Sequence, residues 1–376
     1  MTVGNHRPAQ IVIDQKALYE NISNAKKHLQ PNTNLFMVVK ADGYGHGAVQ
    51  VARVAQQAGA DGFCVSILDE ALQLRQAGIV DVPILVLGII DPLDAMVAAE
   101  NQISVTVGSI EWLQRAEQVL SDLPNESPIL NIHFGLDTGM GRIGFQKPSE
   151  LKDAINYLES NNNHFNFEGI FTHFSTADSS NTDYFEIQKQ RFKEFMEVVD
   201  KKPKYVHVAN SATSLWHQYG QTNIVRLGIA GYGLNPSGRE IADLPYQLKP
   251  AMSFTSKLVY TKYVEKGRSI GYGATYETDE DQWIGTVPVG YADGYSRNMQ
   301  GYYVLVDGQK CPVVGRVCMD QFMIRLPKKY DVNTPVTLMG TSGNETITAD
   351  DIADHLGTIS YEIICGFSVR LPRKYI

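Results

Sequence analysis

Eight short apolar runs, separated by stretches of helical periodicity, constrain this chain more than any other feature. They are LFMVV from 35, GFCVSI from 62, PILVLG from 83, ISVTV from 103, ILNIHF from 129, FEGIFTH from 167, YVHVAN from 205 and NIVRLG from 223. Apolar runs this short, with little polar alternation, read as strands buried on both faces of a parallel sheet. Between them, Val49 to Ala58, Asp69 to Ala77, Ile110 to Leu120 and Asp183 to Val199 carry apolar residues at 3.6 spacing, as crossover helices require. Eight such units close a (β/α)8 barrel. No GxGxxG opens a helix after the first run, which disfavours a doubly wound sheet. A further helix, predicted over Asp14 to Leu29 with Asp14 capping its start, is expected to fill the place in the outer ring where none follows the eighth run.

Near Leu244 the pattern changes. From Ala251 onward the chain reads as longer strands broken by Gly, Asp-Gly and Pro, with one helical stretch at Ala349 to Leu356 running toward Cys365. The expectation is an α/β TIM-type barrel over 1–244 followed by a mostly β domain over 245–376, and 376 residues with 43% hydrophobic content suffice for two cores. A net charge of −8 argues against nucleic-acid or anionic-membrane partners, because nothing neutralises a row of phosphates. No run approaches the roughly 20 apolar residues that span a bilayer, and MTVGNHRPAQ lacks the apolar core of an export signal, so the cytoplasm is the expected compartment. Four cysteines, 64, 311, 318 and 365, form no CxxC pair and are expected to be reduced and mostly buried, in neither a disulfide framework nor a zinc site.

Reacting groups of such a barrel lie at the C-terminal ends of its strands. The first run ends at Lys40, followed by Asp42-Gly43-Tyr44-Gly45-His46-Gly47, whose glycines let the backbone approach a ligand while Tyr44 offers a hydroxyl. A lone strand-end lysine ordinarily snorkels into solvent; beside this loop it is a candidate Schiff-base former. The fifth run leads into LDTGMGRIG with Asp137 and Arg142, the sixth ends at His173, the seventh at Asn210-Ser211, and the eighth carries Arg226 before Gly228. Loops after strands seven and eight commonly hold phosphate, here through the Ser211 hydroxyl and the amides of Gly228 and Ile229. Lysine facing a phosphate cradle points to pyridoxal phosphate. A metal site built on His133, His173 and His207 is disfavoured, since no carboxylate cluster completes it; each of these histidines reads better as a hydrogen-bonded core residue, and no metal is expected.

The same residues carry a resemblance. VVKADGYGHG, LDTGMGRIGF, THFSTAD, HVANSA, VRLGIAGYG, SIGYGATY, PVGYADGYSR, VGRVCMDQ and TISYEIICG, in this order and over nearly the whole chain, resemble the successive signatures of the alanine racemase family. That resemblance implies a pyridoxal-phosphate enzyme interconverting L- and D-alanine, supplying D-alanine for peptidoglycan. It implies that Lys40 binds the cofactor and serves as one catalytic base, with Tyr272 as the other. Arg226 would pair with the pyridine nitrogen, and Tyr44, Ser211, Gly228, Ile229 and Tyr361 would hold the phosphate, with His173 and Asn210 nearby. Arg142, Met319 and Asp320 would bind substrate, while Asp178, Tyr291, Arg297, Arg316 and Ile359 would line its entrance. A homodimer with shared sites is also implied. Two positions depart from the family pattern: Gly135 stands where many members carry a carbamylated lysine supporting the substrate-orienting arginine, and Leu227 where proline is common.

The chemistry is consistent with these roles. Racemisation needs a base on each face of the α-carbon. A tyrosine, with pKa about 10 in water, works as a base only where positive charge stabilises its phenolate, a field expected from His173 and Arg226. An arginine cannot readily give up its proton, so it leaves the pyridine nitrogen unprotonated and the electron sink weak, which favours racemisation over transamination. A pyridoxal-phosphate decarboxylase using Cys318 would want a carboxylate there instead, and a pyridoxal-phosphate-binding protein without turnover would have no use for Tyr272. Space around Tyr291, Tyr361 and Met319 is expected to set the preference for alanine over larger substrates.

Overall fold

A computed structural model describes residues 2–121, 128–160, 164–217, 220 and 222–376. The chain forms two compact units, one over Ala17–Lys249 and one that joins Pro250–Ile376 to the residues up to Lys16.

In the first unit all eight apolar runs form strands: Asn34–Val38, Gly62–Val65, Ile84–Val86, Ser104–Val107, Leu130–Gly135, Phe165–Phe171, Tyr205–His207 and Ile224–Leu227. Each pairs in parallel with its sequence neighbour from the first to the seventh, and the eighth pairs with the first, Phe36 opposite Arg226. The remaining seam, between strands seven and eight, is joined by an Ala209–Val225 bridge and by Arg226 N–H donating to the Ala209 carbonyl at 2.9 Å. The ring is thereby nearly closed. Strand residues are buried on both faces, Phe36 and Met37 alike, which is why the runs lack polar alternation. Crossover helices lie at Ala48–Gln57, Leu68–Gln76, Ile110–Ser121 and Asp183–Glu197, within a residue or two of their expected positions. Helix Gln15–His28 is tied to the chain beyond strand eight, because Asn21 exchanges two hydrogen bonds with the Lys249 backbone, at 2.8 and 2.9 Å. Strand eight itself continues into a 3-10 turn, Ile229–Tyr232.

The second unit is built on a mostly antiparallel sheet. Its strands run spatially from Tyr260–Val264 through Gln282–Val287, Phe322–Leu326, Gln309–Val314, Tyr303–Val306, Pro335–Ser342 and Met252–Lys257 to Gln10–Ile13 and Arg373–Tyr375. Gln10–Ile13 pairs antiparallel with Met252–Lys257 and parallel with Arg373–Tyr375, so the start of the chain contributes a strand here. Arg7 locks that start in place through a bidentate pair with the fully buried Asp293. The expected C-terminal helix is two helices, Ala349–Leu356 and Ser360–Gly366, because Gly357 turns left-handed at φ 69° and ends the first. Among the described residues no helix is long and apolar enough to cross a membrane.

Candidate active site

Strand one stops at Val38, and Lys40 opens a turn of unusual hand. Ala41, Asp42, Gly43, Tyr44 and Gly45 all have positive φ, from 51° to 77°, forming a single left-handed helical turn closed by Gly43 N–H to Val39 O and Gly45 N–H to Ala41 O. Each non-glycine residue in this conformation costs roughly 1–2 kcal/mol, so surrounding contacts must over-determine it. Several do. Asp42 Oδ1 accepts the Ala48 N–H at 2.9 Å and caps the next helix, Glu70 Oε1 accepts the Ala41 N–H at 2.6 Å, and the Tyr44 ring packs 4.8 Å from Tyr232, whose hydroxyl donates to Val38 O at 2.8 Å.

Tyr44 is thereby aimed at the ends of strands seven and eight. A Cβ placed on Gly228 would lie 3.0 Å from the Tyr44 hydroxyl and 3.6 Å from Ser211 Oγ. Ser211, the first residue of helix Ser211–Trp216, accepts from the Gly228 N–H at 2.9 Å and the Ala230 N–H at 3.4 Å. Asn210 fixes that helix start by accepting the Thr213 N–H at 2.9 Å, and its amide lies 3.4 Å from His173 Nε2. Two hydroxyls and the start of the Ile229 turn thus converge on Gly228, where a side chain would crowd the Tyr44 hydroxyl. A phosphate monoester fits this donor set, and an aldehyde attached to it fits the strand-one lysine.

Arg226 is buried, and its partners are neutral. It donates to His207 Nδ1 at 2.7 Å, Thr172 O at 2.9 Å and Val208 O at 3.3 Å, and stands 3.4 Å from His173 Nδ1. From there a buried chain continues: His207 Nε2 to His133 Nδ1 at 2.9 Å, His133 Nε2 to Glu168 at 3.2 Å, and the Ser104 hydroxyl to Glu168 at 2.6 Å. Glu168 accepts from His133, so neutral His133 accepts from His207, and His207 in turn accepts from the guanidinium. Burial and the nearby Arg226 charge hold His207 well below its ordinary pKa, and burial also lowers His133. Burial lowers Arg226 to about 10, which leaves it cationic at neutral pH. His133 and His207 are core residues within this chain, and among the described residues no group of His, Cys, Asp or Glu could hold a metal. Burial together with Arg226, Arg142 and Lys40 brings His173 to about 3. It is therefore uncharged, which corrects the expectation that it adds positive field; the cations are the arginines.

Beside Arg226 lies a cavity of about 40 Å³ lined by Gly135, Met140, Arg142, Phe171 and His173 among others, with two arginines and no carboxylate among its described lining residues. Asp137 shapes the loop leading to Arg142 by accepting the Gly139 and Gly141 N–H groups at 3.0 and 2.9 Å. A Cβ on Gly135 would press Thr106 Cγ2 at 3.3 Å. Asp178, the one expected entrance residue on this unit, is half-buried, and burial raises its carboxyl.

The remaining expected residues sit on the second unit. Tyr272 opens a 3-10 turn between Gly271 and Gly273, both at φ 77°, and is 70% exposed, unusual for so large a ring. At Gly273 the φ of 77° disfavours a side chain, and a Cβ there would lie 2.9 Å from the Arg316 guanidinium, which would have to shift. Gly290 allows the Tyr291 turn to dock on the Cys318–Met319 backbone, where the Tyr291 and Ala292 N–H groups donate to the carbonyls of Cys318 and Met319 at 3.1 and 3.0 Å. Met319, Tyr291 and Ile359 are exposed, Arg297 lies in an exposed 3-10 turn, and Tyr361 is half-buried in the last helix. Asp320 pairs with Arg370 at 2.9 Å. Burial raises the Cys318 thiol, the opposite of what a catalytic thiolate needs. Cys64 and Cys311 are buried, Cys318 is half-buried and Cys365 exposed, so the burial expected of most cysteines extends fully to two.

Family models for the alanine racemase N-terminal and C-terminal domains match residues 13–236 and 251–375. This chain belongs to the alanine racemase family. It is 56% identical to the alanine racemase of Levilactobacillus brevis over the full length of both chains. The crystal structure of alanine racemase from E. faecalis superimposes with a TM-score of 0.97 at 50% identity, covering both chains completely. A histidine racemase from Leuconostoc mesenteroides also superimposes, with a TM-score of 0.93 at 34% identity over 100% of this chain and 99% of that one. The chain is an isomerase of a pyridoxal-phosphate-dependent family. Within this alanine racemase framework, sequence reasoning missed Glu70 and the Glu168 chain. A carboxylate inside the apolar run FEGIFTH was the available signal, because an acidic residue in a buried strand requires partners.

Proposed function

We propose that the chain interconverts L-alanine and D-alanine with pyridoxal phosphate held at Lys40, and that Lys40 and Tyr272 are its two bases. One observation carries the reading: Lys40 leaves strand one on the same barrel rim as the Tyr44, Ser211 and Gly228 cradle and a buried arginine with neutral partners. In this reading Tyr44, Ser211 and the amides of Gly228 and Ile229 hold the phosphate with Tyr361, and Arg226 donates to the ring nitrogen. The cofactor supplies an electron-withdrawing ring conjugated to the substrate nitrogen. Arg226 tempers that withdrawal, because a guanidinium with pKa about 10 does not pass its proton to the ring.

Arg142, the Met319 amide and Asp320 orient the substrate, leaving its Cα–H to be met from one face by Lys40 Nζ and from the other by Tyr272 Oη. One removes the proton and the other returns a proton to the opposite face; exchanging their roles runs the reverse reaction. Tyr272, exposed on its own chain, would meet the Lys40 of a second copy in a two-fold dimer, which creates two equivalent sites. Arg226 supplies the positive field that favours the Tyr272 phenolate, and His173 beside it stays uncharged. Asp178, Tyr291, Arg297, Arg316 and Ile359 shape the approach. D-alanine for peptidoglycan, made in the cytoplasm, is the proposed product.

The test has two arms. Purified protein should be yellow, and borohydride followed by peptide mapping should label Lys40; label on another lysine refutes the cofactor assignment. L-alanine should lose its optical rotation, and Lys40→Ala and Tyr272→Phe should each abolish that loss. The superimposed histidine racemase makes a broader amino-acid racemase the second reading, so equal rates on histidine and alanine would replace the alanine assignment.

A further inference from the structure

The left-handed turn at Lys40 has one anchor that belongs to neither the cradle nor the arginine cluster. Glu70, on the second barrel helix, divides its carboxylate: Oε1 accepts the Ala41 N–H at 2.6 Å, and Oε2 accepts the Ser66 N–H at 2.7 Å and the Ile67 N–H at 3.3 Å. Ser66 and Ile67 directly follow strand two, and the last rung between strands one and two is Val39 N–H to Cys64 O at 2.9 Å. The carboxylate therefore continues the pairing of these strands one step past the ladder, at the residue after Lys40. Ala41, at φ 51° and ψ 51°, is held in a conformation that an alanine otherwise avoids.

We infer that Glu70 is a positioning residue for Lys40: its carboxylate locks Ala41 in the left-handed turn and so fixes the direction in which the lysine amine leaves the barrel strand. The inference rests on Lys40 being the cofactor lysine. Without the carboxylate, Ala41 relaxes toward ordinary backbone angles and the amine is no longer presented to the Tyr44–Ser211 cradle. Glycine occupies left-handed angles without the steric cost of a Cβ, so Ala41→Gly should make the clamp dispensable.

The test uses Glu70→Gln, which keeps the shape but offers a single acceptor oxygen, alone and with Ala41→Gly. Cofactor-free protein is titrated with pyridoxal phosphate by absorbance, and its thermal midpoint is recorded beforehand. Glu70→Gln should weaken cofactor binding roughly tenfold, the scale of one charge-assisted hydrogen bond, and should also lower the midpoint, because the same carboxylate caps helix Leu68–Gln76 through the Ser66 and Ile67 N–H groups. The double variant should recover to within about threefold of the parent, as relief of backbone strain predicts. A role for Glu70 confined to capping its helix predicts a lowered midpoint and no rescue of cofactor binding by glycine, and that absence of rescue overturns the inference, as does parent-like binding by Glu70→Gln. A parent protein that takes no borohydride label on Lys40 overturns the functional reading and this inference with it; a labelled parent with an unaffected Glu70→Gln overturns the inference alone.

Discussion

Gly228→Ala tests the phosphate cradle with the smallest possible change. The added methyl would sit 3.0 Å from the Tyr44 hydroxyl and 3.6 Å from Ser211 Oγ. A phosphate oxygen accepting from Tyr44 would lie at about 2.7–2.8 Å from the same hydroxyl, so a methyl that presses on that hydroxyl is expected to disturb a phosphate held by it. The methyl displaces at least one hydrogen bond to a charged acceptor, worth about 1.5–3 kcal/mol. Cofactor affinity should therefore fall roughly 10- to 150-fold. Titration of the cofactor-free protein with pyridoxal phosphate reads that loss directly, and far-UV circular dichroism checks that the barrel is intact. Ser211→Ala should weaken binding as well, because its hydroxyl both belongs to the cradle and accepts the Gly228 N–H at 2.9 Å. A folded Gly228→Ala protein that binds the cofactor within twofold of the parent would refute the cradle.

Three further outcomes are expected. Inactive Lys40→Ala and Tyr272→Phe homodimers, allowed to exchange subunits, should regain about a quarter of parental activity, because half of the dimers are mixed and each mixed dimer has one intact site; no recovery after verified exchange excludes shared sites. Buried His133 and His207 have folded pKa values below their unfolded ones. Below about pH 6.5 the unfolded chain binds protons that the native one does not, so His207, held well below its ordinary value, should cost up to about 1.4 kcal/mol of stability per pH unit as pH falls, with His133 adding in the same direction; urea midpoints from pH 6 to 4 should show a shallower slope for His207→Gln, and an unchanged slope contradicts the neutral-histidine chain. The cavity beside Arg142 and Arg226 has room for a small anion where Gly135 supplies no side chain, so the KM for alanine should fall as chloride replaces an inert counter-anion, and a flat titration removes the anion from the site.

How legible each part was in the sequence depends on the range of the forces that shape it. The barrel strands were readable because burial on both faces removes polar residues from a run, a local consequence of the final fold that Leu35 to Val39 displays unaided. Lys40, Arg226 and Ser211 were readable because a barrel gathers its strand ends on one rim. The hand of the turn after Lys40 was not, since Ala41 and Asp42 do not favour left-handed angles by themselves and are held there by Glu70 and by the helix at Ala48, through contacts between separate elements. The charge of His173 was misjudged for a related reason: a histidine at a strand end is cationic or neutral according to what surrounds it, and here burial and nearby cations decide. The histidine chain extends the same logic to the arginine. With a carboxylate directly on its guanidinium, Arg226 would be paired within the protein and less available to a ring nitrogen; with Glu168 set two imidazoles away, the negative charge stays in the barrel core while the arginine meets lone pairs alone. Placing a carboxylate directly on the guanidinium, by His207→Glu, should therefore weaken the positive field at the cofactor position, whereas loss of the Glu168 carboxylate, two imidazoles away, should not.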